Sequence, residues 1–496
     1  MMCADESIAE RFKDRLAEVT AAANVVDDPR VLEGYSRDHS FVAGCRPWLL
    51  VYPENKEQVQ GIVRLANDSR MPLVPVSSGS PRLHGDTVPG QGGVIVDFSR
   101  MNRILKIDSR SRYAMVEPGV TYGELIPELK KQGLRLSAPL LPRSSKSVVT
   151  SRLEREPVLI PKHQYDYLDP LLTLEVIYGT GDDFRTGSSS GPGTPERLKS
   201  DKVNPWGPGS LDFFRFVSAA QGTMGLVTWA VTKTEVLPSI RNLYFIPVED
   251  PDRLTLPIDR LLRRRVVDEC LALNNVNLAT ILAEDWPEDF KELKTKLPPW
   301  TLIACVCGYQ RRPEERAKLM EKSLTAICED LGLKPRTTLP GAEGKEAVVL
   351  ELLSGPWNQE PYWKLRNKGS CRDIFFLTPL SKASKFVGLM REMVAKYRYG
   401  GDEVGCYIQP MVQGRGCHCE FNFPCDESNP GEVAELQKLF MEASETLLKS
   451  GAFFSRPYGP WADMVYGRYA EGVVALRKLK AIFDPNNILN PGKLCF

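Results

Sequence analysis

Residues 72–98, PLVPVSSGSPRLHGDTVPGQGGVIVDF, constrain the fold more than any other part of the chain. An apolar β-type run, Leu73-Val74-Pro75-Val76, empties into Ser77-Ser78-Gly79-Ser80. Gly92-Gly93 then leads into a second apolar run, Val94-Ile95-Val96, closed by Asp97. Four small residues at a tight turn let backbone amides approach a ligand with no side chain in the way, and a row of such donors suits a pyrophosphate. The usual fingerprints are absent: there is no G-x-x-x-x-G-K-[ST] and no strand-G-x-G-x-x-G-helix here. Taken alone, the pattern also describes a plain surface loop between two strands.

The neighbouring elements supply context. Helical spacing of Ile8, Phe12, Leu16 and Val19 predicts a leading amphipathic helix over 5–22. A strand at 49–51, a helix at 56–67, strands at 93–97 and 112–117 and a helix at 122–132, stopped by Gly133, form an alternating α/β layer. Residues 137–170 hold five prolines and little periodicity, and a long irregular segment of this kind is usually functional. A strand at 174–178 follows, then a Gly/Ser/Pro-rich loop over 188–205 and a helix over 211–220. Beyond Pro238 the texture changes. Strands at 242–248, 277–282, 302–306, 374–378, 405–412 and 417–423, with helices at 257–267, 313–330, 382–397 and 431–449, predict an antiparallel sheet backed by helices.

At 496 residues the chain can form two or three domains. Lysine and arginine total 64 against 63 acidic residues, so no net field favours nucleic acid or an anionic membrane. The cluster Arg263-Arg264-Arg265 reads as a solvated helix face. Nowhere do about 18 apolar residues run together, and the start MMCADESIAERFKDRL carries acids rather than a signal-type apolar core. No C-x-x-C sets occur among the 12 cysteines, which leaves no zinc or cluster site and fits a reducing cytoplasm. The C-x-C pairs Cys305/Cys307 and Cys417/Cys419 would each point two thiols to one face of a strand.

The order of VYPENKEQVQGIVRLANDSRMPLVPV, the small-residue loop, DFSRMNRILKID and VEPGVTYGELIPELKKQGLRL resembles the flavin-binding half of the vanillyl-alcohol oxidase and p-cresol methylhydroxylase superfamily, which includes D-lactate and glycolate dehydrogenases. The ending Asp484-Pro485-Asn486-Asn487-Ile488-Leu489-Asn490-Pro491-Gly492-Lys493 is the most specific match. Gly222-Thr223-Met224-Gly225-Leu226-Val227-Thr228 resembles the segment that lines the adenine end of FAD. Ser147-Val148-Val149 and Arg185-Thr186-Gly187 look like the phenol-oxidising branch, although Thr150-Ser151 replace its Gly-Asn. The resemblance implies an α+β fold: a two-part FAD-binding domain over 1–238 and 453–496, with an antiparallel-sheet cap inserted over 239–452. It implies FAD as cofactor, held through Ser77, Ser78, Gly79, Ser80, Pro142, Ser147, Gly225, Val227, Asn490 and Lys493.

A dehydrogenating flavin needs a C–H held against N5, a proton acceptor and cations where negative charge grows. Only His39, His84, His163 and His418 could supply an imidazole. His418, in Val412-Gln413-Gly414-Arg415-Gly416-Cys417-His418, lies where lactate-type relatives carry metal-ligating histidines, but Val412 stands at the first of these, so no metal is expected and His418 becomes a candidate base. His84 and His418 are candidates for a covalent flavin link. Arg456 and Tyr458, in Ser455-Arg456-Pro457-Tyr458-Gly459, stand where phenol oxidisers have a pair that stabilises phenolate, and a guanidinium grips a carboxylate equally well. Arg143 falls near the place where phenol oxidisers put an aspartate beside N5, and Tyr165, Asp166 and Tyr167 are further candidates to line the cavity.

The expected activity is hydride transfer from a small hydroxylated substrate to flavin N5, with a 2-hydroxy acid or alcohol first and a para-substituted phenol as its rival. A flavin-carrying subunit passing electrons to an iron–sulfur or electron-transfer flavoprotein partner is the alternative of a different class, and a homodimer stays open.

Overall fold

The computed structural model describes residues 2–161, 171–187, 213–401 and 403–496, with side chains from residue 10 onward. Among these, a four-stranded sheet runs in the order Val25–Val26, Leu49–Val51, Val94–Asp97, Leu73–Val76, the last three parallel. Parallel neighbours need a crossover, and the helix Lys56–Ser69 provides it. Asn55 starts this helix by accepting from the Gln58 amide, and Val59, Ile62, Val63, Leu65 and Ala66 form its buried face. Each of the valine, isoleucine and leucine side chains removed from water contributes about 1.5–3 kcal/mol. Leu73–Val76 closes the order, which explains how a strand tolerates Pro75. Its outer edge is taken by the C-terminal tail: Leu73 donates to the Ile488 carbonyl (2.7 Å) and accepts from the Asn490 amide (2.8 Å).

A five-stranded antiparallel sheet follows, ordered Ile104–Asp108, Tyr113–Val116, Leu226–Lys233, Leu171–Ile177, Asp183–Arg185. Glu175, 1 % exposed at its centre, is neutralised by Lys56 (3.1 Å) and Arg185 (2.6 Å) and accepts from Thr228 (2.7 Å). This buried charge, paired as it must be, fastens the crossover helix to the sheet.

The six-stranded antiparallel sheet runs Ile240–Val248, Trp300–Gly308, Glu269–Asn274, Gly405–Met411, Gly416–Cys425, Ser370–Pro379. Helices Thr255–Arg263, Pro313–Asp330, Ala383–Lys396 and Pro430–Lys449 back it. The C-x-C pairs do share faces, with sulfurs 3.9 Å apart in Cys305/Cys307 and 3.8 Å in Cys417/Cys419.

Three expectations require correction. Residues 275–282 are a helix, Asn275–Leu282, and the strand is Glu269–Asn274 before it. Val276 through Leu282 are buried on every side, so no amphipathic period marks the helix; the Asn274 side chain, accepting from the Asn277 amide, decides it. The irregular stretch after 137 contains the helix Val148–Leu153, capped by Ser147. The helix expected over 211–220 is reduced to Phe214–Val217 among the described residues. No helix of the described residues is long and apolar enough to cross a membrane.

Candidate active site

The loop after Leu73–Val76 is stitched to the segment that precedes Val148–Leu153. Gly79 N–H donates to the Ser145 carbonyl (3.1 Å), Ser147 N–H donates to Ser78 Oγ (3.0 Å), and the Ser77 and Thr150 hydroxyls share a hydrogen bond. Arg143 donates to the Gly79 carbonyl (2.8 Å). The anticipated row of free amides is therefore shorter than the sequence suggests. Gly79 has committed its N–H, and both Gly79 and Ser80 are exposed and stand off the cavity, whereas the Ser78 amide has no acceptor among the described residues.

Ser77 and Ser78 open onto a cavity with about 1610 Å³ of empty space, its mouth included. Pro142, Arg143, Gly225 and Val227 line it from the first half of the chain; Tyr362, Lys364, Phe375, Tyr407 and Glu420 line it from the six-stranded half, joined by Arg456 and Tyr458. Gly222 and Gly225 show why this wall needs glycine. Gly222 has φ +72° and a Cβ there would sit 2.2 Å from Pro75 Cγ; Gly225 has φ +157° and a Cβ would meet Val176 Cγ2 at 2.3 Å.

The tail residues brace the cavity from behind. Asn490 Nδ2 donates to the Asp86 carbonyl (2.9 Å) and the Gln221 carbonyl (2.7 Å), and Lys493 Nζ donates to the Gly85 carbonyl (2.8 Å). Ser147 Oγ, fully buried, donates to the Pro118 carbonyl (2.6 Å) and accepts from the Thr150 amide (3.1 Å). None of these three lines the cavity; they hold in place the backbone that does.

Most of the cavity's charges are paired. Lys146 donates to Glu154 and Glu156, each at 2.8 Å, and Ser151 links Glu156 to the Tyr122 hydroxyl. Burial would raise the Glu156 carboxyl, but Lys146 and then Arg456 pull it down to about 2. Lys364 bridges Asp373 (2.5 Å) and Glu420 (2.6 Å). Burial opposes its charge, yet these two carboxylates hold its pKa well above the ordinary lysine value.

Arg456 and Arg143 differ from Lys146 and Lys364 in making no ion pair among the described residues, and Arg143 is held by the Gly79 carbonyl. Arg456 is 5 % exposed and lies 4.2 Å from the centre of the Phe375 ring. Tyr458 stays a neutral phenol, raised by burial and then by Glu154 and Asp86. His84 lines the same wall and stays neutral, lowered by burial and then by Lys146, Arg456 and Lys364. Asp86 presents a carboxyl to the cavity with no hydrogen-bond donor among the described residues; burial first, then Glu154 and Asp38, push it up to about 7.

His418 sits behind this surface. Its Nε2 is 3.0 Å from Glu420 Oε2, its Nδ1 is buried without a partner, and burial lowers its pKa despite Glu420. Tyr165, Asp166 and Tyr167 lie outside the described residues. Sequence reasoning missed Asp86, Lys146, Glu154, Glu156, Lys364 and Glu420. The charged triplet Glu154-Arg155-Glu156 inside a proline-rich segment, and single charges within apolar runs, were the available signals.

The chain matches a family model described as FAD binding domain over residues 47–149 and one described as FAD linked oxidases, C-terminal domain, over residues 288–494. It is 25 % identical to glycolate oxidase subunit GlcD of Bacillus subtilis (strain 168), covering 98 % of this chain and 97 % of that one. It is 26 % identical to the flavoprotein subunit of 4-cresol dehydrogenase [hydroxylating] of Pseudomonas putida, covering 91 % and 88 %. The crystal structure of p-cresol methylhydroxylase with substrate bound superposes with a TM-score of 0.83 at 21 % identity, over 99 % of this chain and 97 % of that one.

Proposed function

We propose for this chain, which belongs to the FAD-linked oxidases of the vanillyl-alcohol oxidase and p-cresol methylhydroxylase superfamily, that it removes a hydride from a small hydroxylated aromatic substrate bound beneath the six-stranded sheet. The cofactor is FAD. The cavity fits it. Thr87 and Trp363, both on its wall, carry a hydroxyl and an indole N–H with no protein partner, donors that a polar cofactor would meet. Ser77, Ser78 and Thr87 would hold the phosphate-bearing part, with Gly222, Gly225 and Val227 alongside. Bound FAD supplies a two-electron acceptor.

One observation carries the choice of substrate: the buried guanidinium of Arg456, with no ion pair among the described residues, is set among Phe375, Tyr362, Tyr407, Tyr458 and His84. A flat ring suits those walls, and a phenolate oxygen suits an arginine that has no carboxylate in direct contact among the described residues. Arg456 would hold the substrate anionic and Tyr458, neutral, would donate a hydrogen bond to the same oxygen. The proton released from the substrate hydroxyl needs an acceptor matched to neutral pH, and Asp86, at about 7, meets that requirement better than His418, which has no face on the cavity.

The 2-hydroxy acid expected first from sequence is the second reading, favoured by the same Arg456, which would take its carboxylate. Mixing the purified protein anaerobically with 4-hydroxybenzyl alcohol, p-cresol, D-lactate and glycolate tests both. Bleaching of the flavin band by the phenols alone supports the first reading, and bleaching by the hydroxy acids alone replaces it with the second.

A further inference from the structure

A second cavity, with about 710 Å³ of empty space including its mouth, lies at the seam between the two halves of the molecule, apart from the site described above. Ile126, Leu136, Leu159 and Leu237 from the first half and Leu353 from the second give it apolar walls. At one end two guanidiniums converge on one carboxylate. Arg135 and Arg241 each bond an oxygen of Glu269, the latter at 2.7 Å.

Both arginines are largely buried, and the Nε of each has no acceptor among the described residues. Two cations on one anion leave a surplus positive charge in a low-dielectric place, and a buried charge without a counter-charge is costly. The nearby Asp268 offsets it only in part: it supports the charge of Arg135, to which Tyr309 links it by accepting from Arg135 (3.2 Å) and donating to Asp268 (2.9 Å), but it also lies 3.7 Å from a third arginine, Arg316, so three arginines face two carboxylates. Lys130, exposed on the cavity wall, makes no ion pair among the described residues and adds a second positive charge. Glu269, Cys305 and Cys307 bring ligand atoms within 4.8 Å of one another, but two arginines on the glutamate repel a metal ion.

We propose that this seam cavity binds a small organic carboxylate with an apolar tail, its head on the surplus charge of Arg135 and Arg241 and its tail against the leucines. Such a ligand touches both halves and so stabilises their junction by mass action.

Hexanoate is the probe, titrated into the protein as purified while its melting temperature is followed. A saturable rise is expected with hexanoate, and none with hexan-1-ol or with sodium chloride at equal ionic strength. Leu237→Trp, which fills the cavity, abolishes the rise, and Lys130→Glu weakens the apparent affinity about threefold, as loss of a partly exposed ion pair does. Arg456→Gln retains the rise, which separates this site from the proposed substrate site. An equal effect of hexan-1-ol, an unchanged response in Leu237→Trp, or loss of the response in Arg456→Gln would overturn the proposal.

Discussion

His84 and Tyr458 stack face to face, with ring centroids 4.6 Å apart and planes inclined by 15°. Residues 374 positions apart in the chain thereby form one wall of the cavity, with Phe375 set edge-on to both. An aromatic pair of this kind contributes about 0.5–1.5 kcal/mol beyond its buried area. His84→Ala should therefore lower kcat/KM about 2- to 12-fold, mainly through KM, because Tyr458 loses the ring that fixes it. His84→Phe should keep KM near the parent value. Equal damage from both substitutions would mean that the imidazole nitrogens, rather than the stack, matter.

Asp86 makes opposite demands on stability and activity. Its carboxyl, raised to about 7 by burial, Glu154 and Asp38, keeps its proton in the folded state at pH values where the unfolded chain has already lost it. The folded form then binds more protons than the unfolded form between about pH 4 and 7, so this residue makes stability fall as pH rises through that window. Asp86→Asn should remove that slope, and urea melts at pH 5 and pH 8 should show it gaining on the parent at the higher pH. If Asp86 accepts the substrate proton, parental kcat/KM rises through about pH 7 and that of Asp86→Asn is lower and flat there.

The sequence revealed what is local. The loop after Val76, the capped helix Lys56–Ser69 and the tail ending in Asn490 and Lys493 are written in turn and cap residues a few positions apart, and the structure forms all of them. Helix Asn275–Leu282 was hidden because burial on all sides erases the helical period. The charge pairs of the cavity were hidden for a different reason. Lys364 meets Glu420 across 56 positions and Arg135 meets Glu269 across 134, and nothing in one partner's neighbourhood announces the other.

The tail motif also has a structural meaning that a mutation can expose. Lys480, 4 % exposed, donates to Asp484 (2.6 Å) and to the carbonyls of Leu489 (3.0 Å) and Thr223 (2.5 Å), while Asp484 accepts from the amides of Ile488 and Leu489. Burial already lowers the lysine's pKa against the pull of Asp484. Asp484→Asn leaves that cation without its partner and should cost about 3–5 kcal/mol in urea unfolding. Removing the charge as well, in Lys480→Met with Asp484→Asn, should recover part of the loss.

Thr87 offers a test of the cofactor site with two signs. Its Oγ1 is buried without a partner in the ligand-free protein, and a stranded hydroxyl destabilises. Thr87→Val should therefore leave the unliganded fold as stable or more so. If the hydroxyl meets FAD, the same change should weaken FAD binding about tenfold, the equivalent of one neutral hydrogen bond, as read by fluorescence during reconstitution. A variant that is more stable and binds FAD unchanged would remove Thr87 from the cofactor's partners.

Arg456 carries the proposed chemistry, so its substitution is the most informative. The side chain is 5 % exposed, rests on Phe375, and makes no ion pair among the described residues; it interacts with the Glu156 carboxylate only at longer range, so its direct hydrogen-bonding partner is left to a substrate. A hydrogen bond to a charged group is worth about 1.5–3 kcal/mol, which sets an expected loss in kcat/KM of roughly 10- to 150-fold for Arg456→Gln on a phenol. Arg456→Lys keeps the charge but not the planar fork and should recover only part. The 4-methoxy analogue of 4-hydroxybenzyl alcohol cannot form a phenolate, so Arg456→Gln should leave its slow turnover nearly unaltered. A large loss on that neutral analogue too would show that the guanidinium supports the cavity wall, and the anion it was assigned to hold would have to be sought elsewhere.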